Sequence, residues 1–229
     1  MVESVKNLIP SNPDISNLRI LLYGAVGAGK SSFINSLNSV SGTRVVTKAQ
    51  TVPSGACMSC TKRCCYVSYS SIFDLYLQFN SDTPLSPKDP RYISTPSNRE
   101  KTHCVVCVVS ANTISQMPQA TTDKMKAYLD EARELGIPQA VIMTMGDEIC
   151  PAVKYTVKTI YMSKKIKQKM KECSDKLQVS MTCIFPVRNY SEETETNNDV
   201  DVLLLLALRQ IAYLANDYVE DLGHEDHEE

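Results

Sequence analysis

The eight residues Gly24-Ala25-Val26-Gly27-Ala28-Gly29-Lys30-Ser31 have the types and spacing of a phosphate-binding P-loop, G-x-x-x-x-G-K-[ST]. Glycines at 24, 27 and 29 let the backbone curl until its N–H groups converge on phosphate oxygens, and the helix that follows presents its positive end to the same anion. Lys30 adds a mobile positive charge for the β- and γ-phosphates, Ser31 a hydroxyl placed to ligate Mg²⁺, and Ser32 a further hydroxyl at the loop's exit. A glycine turn that only joins a strand to a helix does not account for the full pattern.

A second constellation, Thr144-Met145-Gly146-Asp147, stands where a GTPase carries its [Asn/Thr]-Lys-x-Asp base-reading motif. A carboxylate at Asp147 can accept both the N1–H and the N2 amino hydrogens of guanine, a pattern adenine cannot supply. Thr144 and Asp147 are therefore the expected base-binding residues. Met145 replaces the motif's lysine; its thioether can pack on a purine face, so the expected loss of affinity is on the order of 1–3 kcal/mol rather than total.

Hydrolysis would need an Asp-x-x-Gly whose Asp holds Mg²⁺ through water and whose Gly amide senses the γ-phosphate. No glycine occurs between Gly55 and Gly136, so that motif is absent from the interval where it belongs, and Asp74, Asp82 and Asp89 are poor substitutes. Turnover is expected to be slow or nil, and no catalytic residue is assigned. Thr61 is the candidate switch threonine for Mg²⁺, with Thr47 and Thr51 competing for the role.

These residues need a frame. Leu18 to Tyr23 is apolar and runs directly into the glycines, as a buried strand does, and the helix after the loop carries Phe33, Ile34 and Leu37. Arg63 to Tyr69 reads as a strand, 72–79 is ambiguous between helix and strand, and the prolines at 84, 87, 90 and 96 mark a surface loop. His103 to Val109 and Gln139 to Met145 are apolar nearly throughout, the pattern of parallel strands buried on both faces. Helices are expected over 121–135, 152–177 and 199–222, with Ser163 as an internal cap, and a last strand over 181–187. The alternation predicts a three-layer α/β P-loop NTPase fold with a mostly parallel sheet and ligands at the carboxyl ends of its strands.

With 229 residues, 43% of them hydrophobic, the chain is expected to form one domain over 1–222, followed by an acidic, disordered tail over 223–229. A net charge of −2 provides no global field for nucleic acid, and no apolar run reaches the length of a membrane span. Nine cysteines without the density of a disulfide scaffold, and no signal peptide, suit a reducing cytoplasm. Cys57, Cys60, Cys64 and Cys65 have the local look of a zinc knuckle but are cramped, and the lysine-rich stretch 154–176 is either a solvated helix face or a docking surface.

Beyond the generic loop, LLYGAVGAGKSSFINSLNSV, HCVVCVVSANTIS, ELGIPQAVIMT leading to DEICP, and CIFPVRNYSEE followed by DVDVLLLLALRQI together make the chain resemble the interferon-induced protein 44-like group. The resemblance implies a cytoplasmic protein of the innate immune, antiviral response that binds GTP or GDP with Mg²⁺ through residues 24–31. It also implies a shortened member, because the strand and switch loop that would carry Asp-x-x-Gly are missing. The vacancy predicts a sheet with one strand fewer, in which Arg63 to Tyr69 pairs with Leu18 to Tyr23. The alternative is a nucleotide-independent scaffold that self-associates, for instance through helix 199–222, or engages an immune-signalling protein; an ATP-dependent kinase is a third reading without a catalytic base.

Overall fold

A computed structural model describes residues 10–40, 42, 44–46, 63–68, 74–80, 88 and 92–225. Strand β1 (Arg19–Tyr23) alternates buried and partly buried positions, with Ile20 and Leu22 turned into the core. It ends at the glycine loop, from which helix α1 (Lys30–Ser39) departs with Phe33, Ile34 and Leu37 buried. Strands β2 (Arg63–Ser68) and β3 (Asp74–Asn80) form an antiparallel pair; the ambiguous 72–79 segment is thus a strand from Asp74 on, its first two residues lying outside the described ones. Strand β4 (Cys104–Ser110) is buried at every position, and β5 (Gln139–Thr144) at all but its first. Such strands must be covered on both faces, and burying each large aliphatic side chain there is worth about 1.5–3 kcal/mol.

The six strands lie in the order β3-β2-β1-β4-β5-β6, with β6 covering Ile184–Pro186. Strands β1, β4, β5 and β6 are parallel. Strand β2 pairs with β1, as the shortening argument requires, but antiparallel, with Leu22 opposite Cys65 and Arg19 opposite Ser68. Strand β3 takes the edge of the sheet beyond β2.

Helix α2 (Gln119–Glu134) stops at Gly136, whose φ of 69° allows the Gly136 and Ile137 amides to turn back onto the carbonyls of Arg133 and Ala132. The helical stretch expected over 152–177, with Ser163 as an internal cap, consists of a helical turn at Pro151–Tyr155, a 3-10 stretch at Val157–Met162 and α3 (Lys164–Leu177). Ser163 is the N-cap of α3, its hydroxyl accepting from the Ile166 amide at 3.3 Å. Only the end of the 181–187 segment is a strand; Met181–Cys183 is a 3-10 turn.

Helix α4 (Asn198–Glu225) runs three residues past the expected end, and 226–229 lie outside the described residues. By length and composition it is apolar enough to cross a bilayer, but half of that stretch is buried in the protein. Leu204, Leu208, Ile211, Ala215 and Val219 form its buried stripe, and it packs on α1, β4 and β5. Helix α2 packs with α3 and also lies over β4 and β5. Helices, sheet and helices make the three layers expected of an α/β P-loop fold.

Candidate functional site

The carboxyl ends of β1, β4, β5 and β6 converge on one edge of the sheet, and every candidate residue that is described lies there. In the glycine loop, Gly24, Gly27 and Gly29 have φ of 149°, 76° and 93°, positive values that favour glycine. Gly24 has a second requirement: a Cβ there would lie 2.2 Å from the Val108 carbonyl oxygen. The loop therefore sits directly on β4, and no side chain fits between them.

Lys30 opens α1, and its ammonium donates to the carbonyls of Gly24 at 2.8 Å and Ala25 at 2.9 Å. Two of the three ammonium donors thus hold the charge across the loop that it would serve. Ser31 is buried beneath the loop, Ser32 is partly buried, and Val26 at the tip is exposed. Loop glycines, a lysine and a serine are the donor set that would hold a phosphate group. For Mg²⁺ the fit is narrower: Ser31 is the one expected ligand inside the described residues, because Thr61, like Thr47 and Thr51, lies outside them. Since β2 runs antiparallel to β1, its carboxyl end at Ser68 is opposite Arg19, at the far edge of the sheet from the loop. It cannot deliver a γ-phosphate sensor.

Thr144, at the end of β5, is fully buried, and its hydroxyl donates to the Ala28 carbonyl at 2.7 Å and lies 3.2 Å from that of Val109. It ties the loop to β5 and β4. Met145 follows at φ 59°, an unusual conformation for a residue with a Cβ, and its sulfur accepts a hydrogen bond from the Ser110 hydroxyl at 3.1 Å. That turn places Asp147 on the short helix Gly146–Ile149.

Three residues not singled out as functional in the sequence complete the site. Arg188, just beyond β6, brings its Nε to 3.6 Å from the Asp147 carboxylate and its Nη2 to 2.5 Å from Glu193. Burial alone would raise the Glu193 carboxyl, but backbone amides, that of Ser191 first, and the Arg188 charge hold it below the usual carboxylate range. Asn189 donates to the Gly29 carbonyl at 3.4 Å, while its buried Oδ1 has no hydrogen-bond partner. The 187–193 loop thus touches both the glycine loop and the Asp147 carboxylate. The available signal was positional, since these residues follow a buried strand whose carboxyl end faces the site.

Beside the loop, a largely apolar cavity of about 610 Å³ opens between β1, β4 and α2, lined by Leu21, Tyr23, Val105, Met125 and Tyr128. It meets the site only at Gly24 and Ala25. Of the expected zinc-knuckle cysteines, Cys57 and Cys60 lie outside the described residues, and Cys64 and Cys65 are consecutive in β2. Cys104 and Cys107 are core residues, with burial pushing the Cys107 thiol up to about 12. No group of metal-ligating side chains occurs among the described residues.

Comparison with known proteins adds ancestry to this geometry. The chain is 28% identical to interferon-induced protein 44 of Homo sapiens over 98% of its own length and 58% of that protein. It is 26% identical to human interferon-induced protein 44-like, over 99% of this chain and 58% of that one, and 25% identical to the Mus musculus interferon-induced protein 44, over 97% and 60%. The chain therefore spans about three-fifths of the length of the curated relatives it matches. The human match runs over 259 residues, 30 more than the whole chain contains, so segments present in the relative have no counterpart here. No family model and no solved structure matches. Along nearly its whole length, the chain is similar to the interferon-induced protein 44 and 44-like proteins.

Proposed function

We infer that this protein binds a guanine nucleotide at the 24–31 loop, with slow or no hydrolysis, and acts in the interferon-linked immune response to which its relatives' names refer. The observation that carries the reading is the coupling of cradle and carboxylate: Thr144 anchors the loop at Ala28, three residues before Asp147 in the chain. When bound, Mg²⁺ would neutralise phosphate charge beside Ser31. The chain's own contribution is to orient the phosphates with loop amides, counter their charge with Lys30 and offer Asp147 to the base edge. A cytoplasmic location fits the reading.

A second reading, a nucleotide-independent scaffold, draws support from the Arg188–Asp147 pair, which satisfies the base-reading carboxylate without any ligand. Calorimetric titration with GTPγS and ATPγS in Mg²⁺ separates the two. Binding of the guanine analogue alone, abolished by Lys30→Ala, is the expected result; binding of neither analogue would leave the scaffold.

A further inference from the structure

Between Glu148 and Glu172 the chain carries seven lysines and no acidic residue. Lys164, Lys167 and Lys171 fall at i, i+3 and i+7 of α3, a single exposed stripe opposite the buried Ile166, Met170, Cys173 and Leu177. Among the described residues, only two of the seven form ion pairs: Lys158 with Asp199 at 3.1 Å and Lys169 with Glu172 at 3.3 Å.

The segment leading into α3 carries exposed apolar groups. Tyr155 is 88% exposed and Met162 81%, the two most exposed large apolar side chains among the described residues, and Tyr161 is 55% exposed. Stability does not account for this arrangement. An exposed Met or Tyr gains nothing from burial, and Lys164 and Lys165 occupy the first turn of α3, which has no acidic residue, where the helix dipole repels cations.

We propose that the lysine face of 154–171, with Tyr155, Tyr161 and Met162 at its end, is a docking surface for anionic lipid bilayers. Tyrosines sit at headgroup depth, a thioether enters the acyl boundary, and lysines reach lipid phosphates and carboxylates while their stems cover apolar surface. A bilayer needs only such a local patch, whereas the chain's net charge of −2 provides no wider field along which a nucleic acid strand could lie. The surface does not depend on the nucleotide reading.

Co-sedimentation of the full chain with phosphatidylcholine vesicles, with and without phosphatidylserine, tests this at low and high salt. Binding only to the phosphatidylserine vesicles, weakened by salt, is expected. Replacing Lys164, Lys167 and Lys171 together by Ala should weaken it roughly 100-fold, from about fivefold per lysine near an anionic surface. Met162→Ser, an exposed change made separately, should weaken it at least about threefold, in line with the loss of buried apolar area. Equal binding to both vesicle types, no binding, binding unaffected by either variant, or capture of single-stranded RNA in place of vesicles would each overturn the proposal.

Discussion

The Thr144 hydroxyl donates to the Ala28 carbonyl at 2.7 Å across 116 residues of sequence. Strand β5 and the glycine loop are thereby tied to one another. Thr144→Val keeps the volume but leaves a buried carbonyl unsatisfied, and should cost about 1–3 kcal/mol, whereas Thr144→Ser should retain most of the stability. Urea denaturation reads both, and a valine variant with an unchanged midpoint would contradict the tether.

Gly24→Ala should be among the most damaging small substitutions in the chain. Its Cβ meets backbone rather than a movable side chain, and its φ of 149° is itself unfavourable for alanine. A loss of about 3 kcal/mol or more is expected in thermal or chemical unfolding. Gly27→Ala, where a Cβ meets nothing within 4 Å, should cost less.

Base recognition makes a paired prediction. Asp147→Ala should erase the preference for guanine over adenine analogues, lowering guanine affinity by about 10- to 100-fold through the loss of a charge-assisted bidentate contact. Met145→Lys should raise guanine affinity. Competitive titration of the two analogues measures both, and no gain from Met145→Lys would count against the base assignment.

Arg188 is expected to act in the opposite sense to Asp147. A guanine reaching Asp147 must share or displace the guanidinium, so Arg188→Ala should tighten guanine binding by about two- to fivefold, the scale of a partly exposed ion pair. Weaker binding in this variant would show that Arg188 holds Asp147 in its productive orientation instead.

His103 gives stability a defined pH dependence. The ring is buried, its Nδ1 accepts the Arg19 amide at 3.0 Å, and its Nε2 lies 2.9 Å from the Asn98 carbonyl. Burial, with the nearby Arg19 charge, holds its pKa below the ordinary value despite the Asn98 contact. The unfolded chain therefore takes up this proton first. The contribution is fully present above about pH 6.5 and is lost as pH falls through that value toward the lower folded-state pKa, at no more than about 1.4 kcal/mol per pH unit. His103→Gln should be less stable at neutral pH and show a shallower slope between pH 5 and 7 in urea midpoints.

The spacing of three glycines, a lysine and a serine after a mostly apolar run determined the glycine loop between β1 and α1, and nearly continuous apolar segments at 103–109 and 139–145 determined two central strands. Both are local patterns: backbone conformation and two-sided burial restrict residue type at each position. Tertiary contact decided the rest. The segment from Asp74 became a strand because β2 offered a paired edge, and β2 itself pairs antiparallel with β1. The 152–177 segment broke at Thr156 and Ser163, where β-region backbone lets Ser163 cap α3 and turns Ile160 and Ile166 toward Gly146. Asp147 meets Arg188, and Gly29 meets Asn189, only because parallel pairing brings the ends of β1, β5 and β6 to one edge. Residues 41 and 160 positions apart in the chain can share a site only once the sheet has set their register.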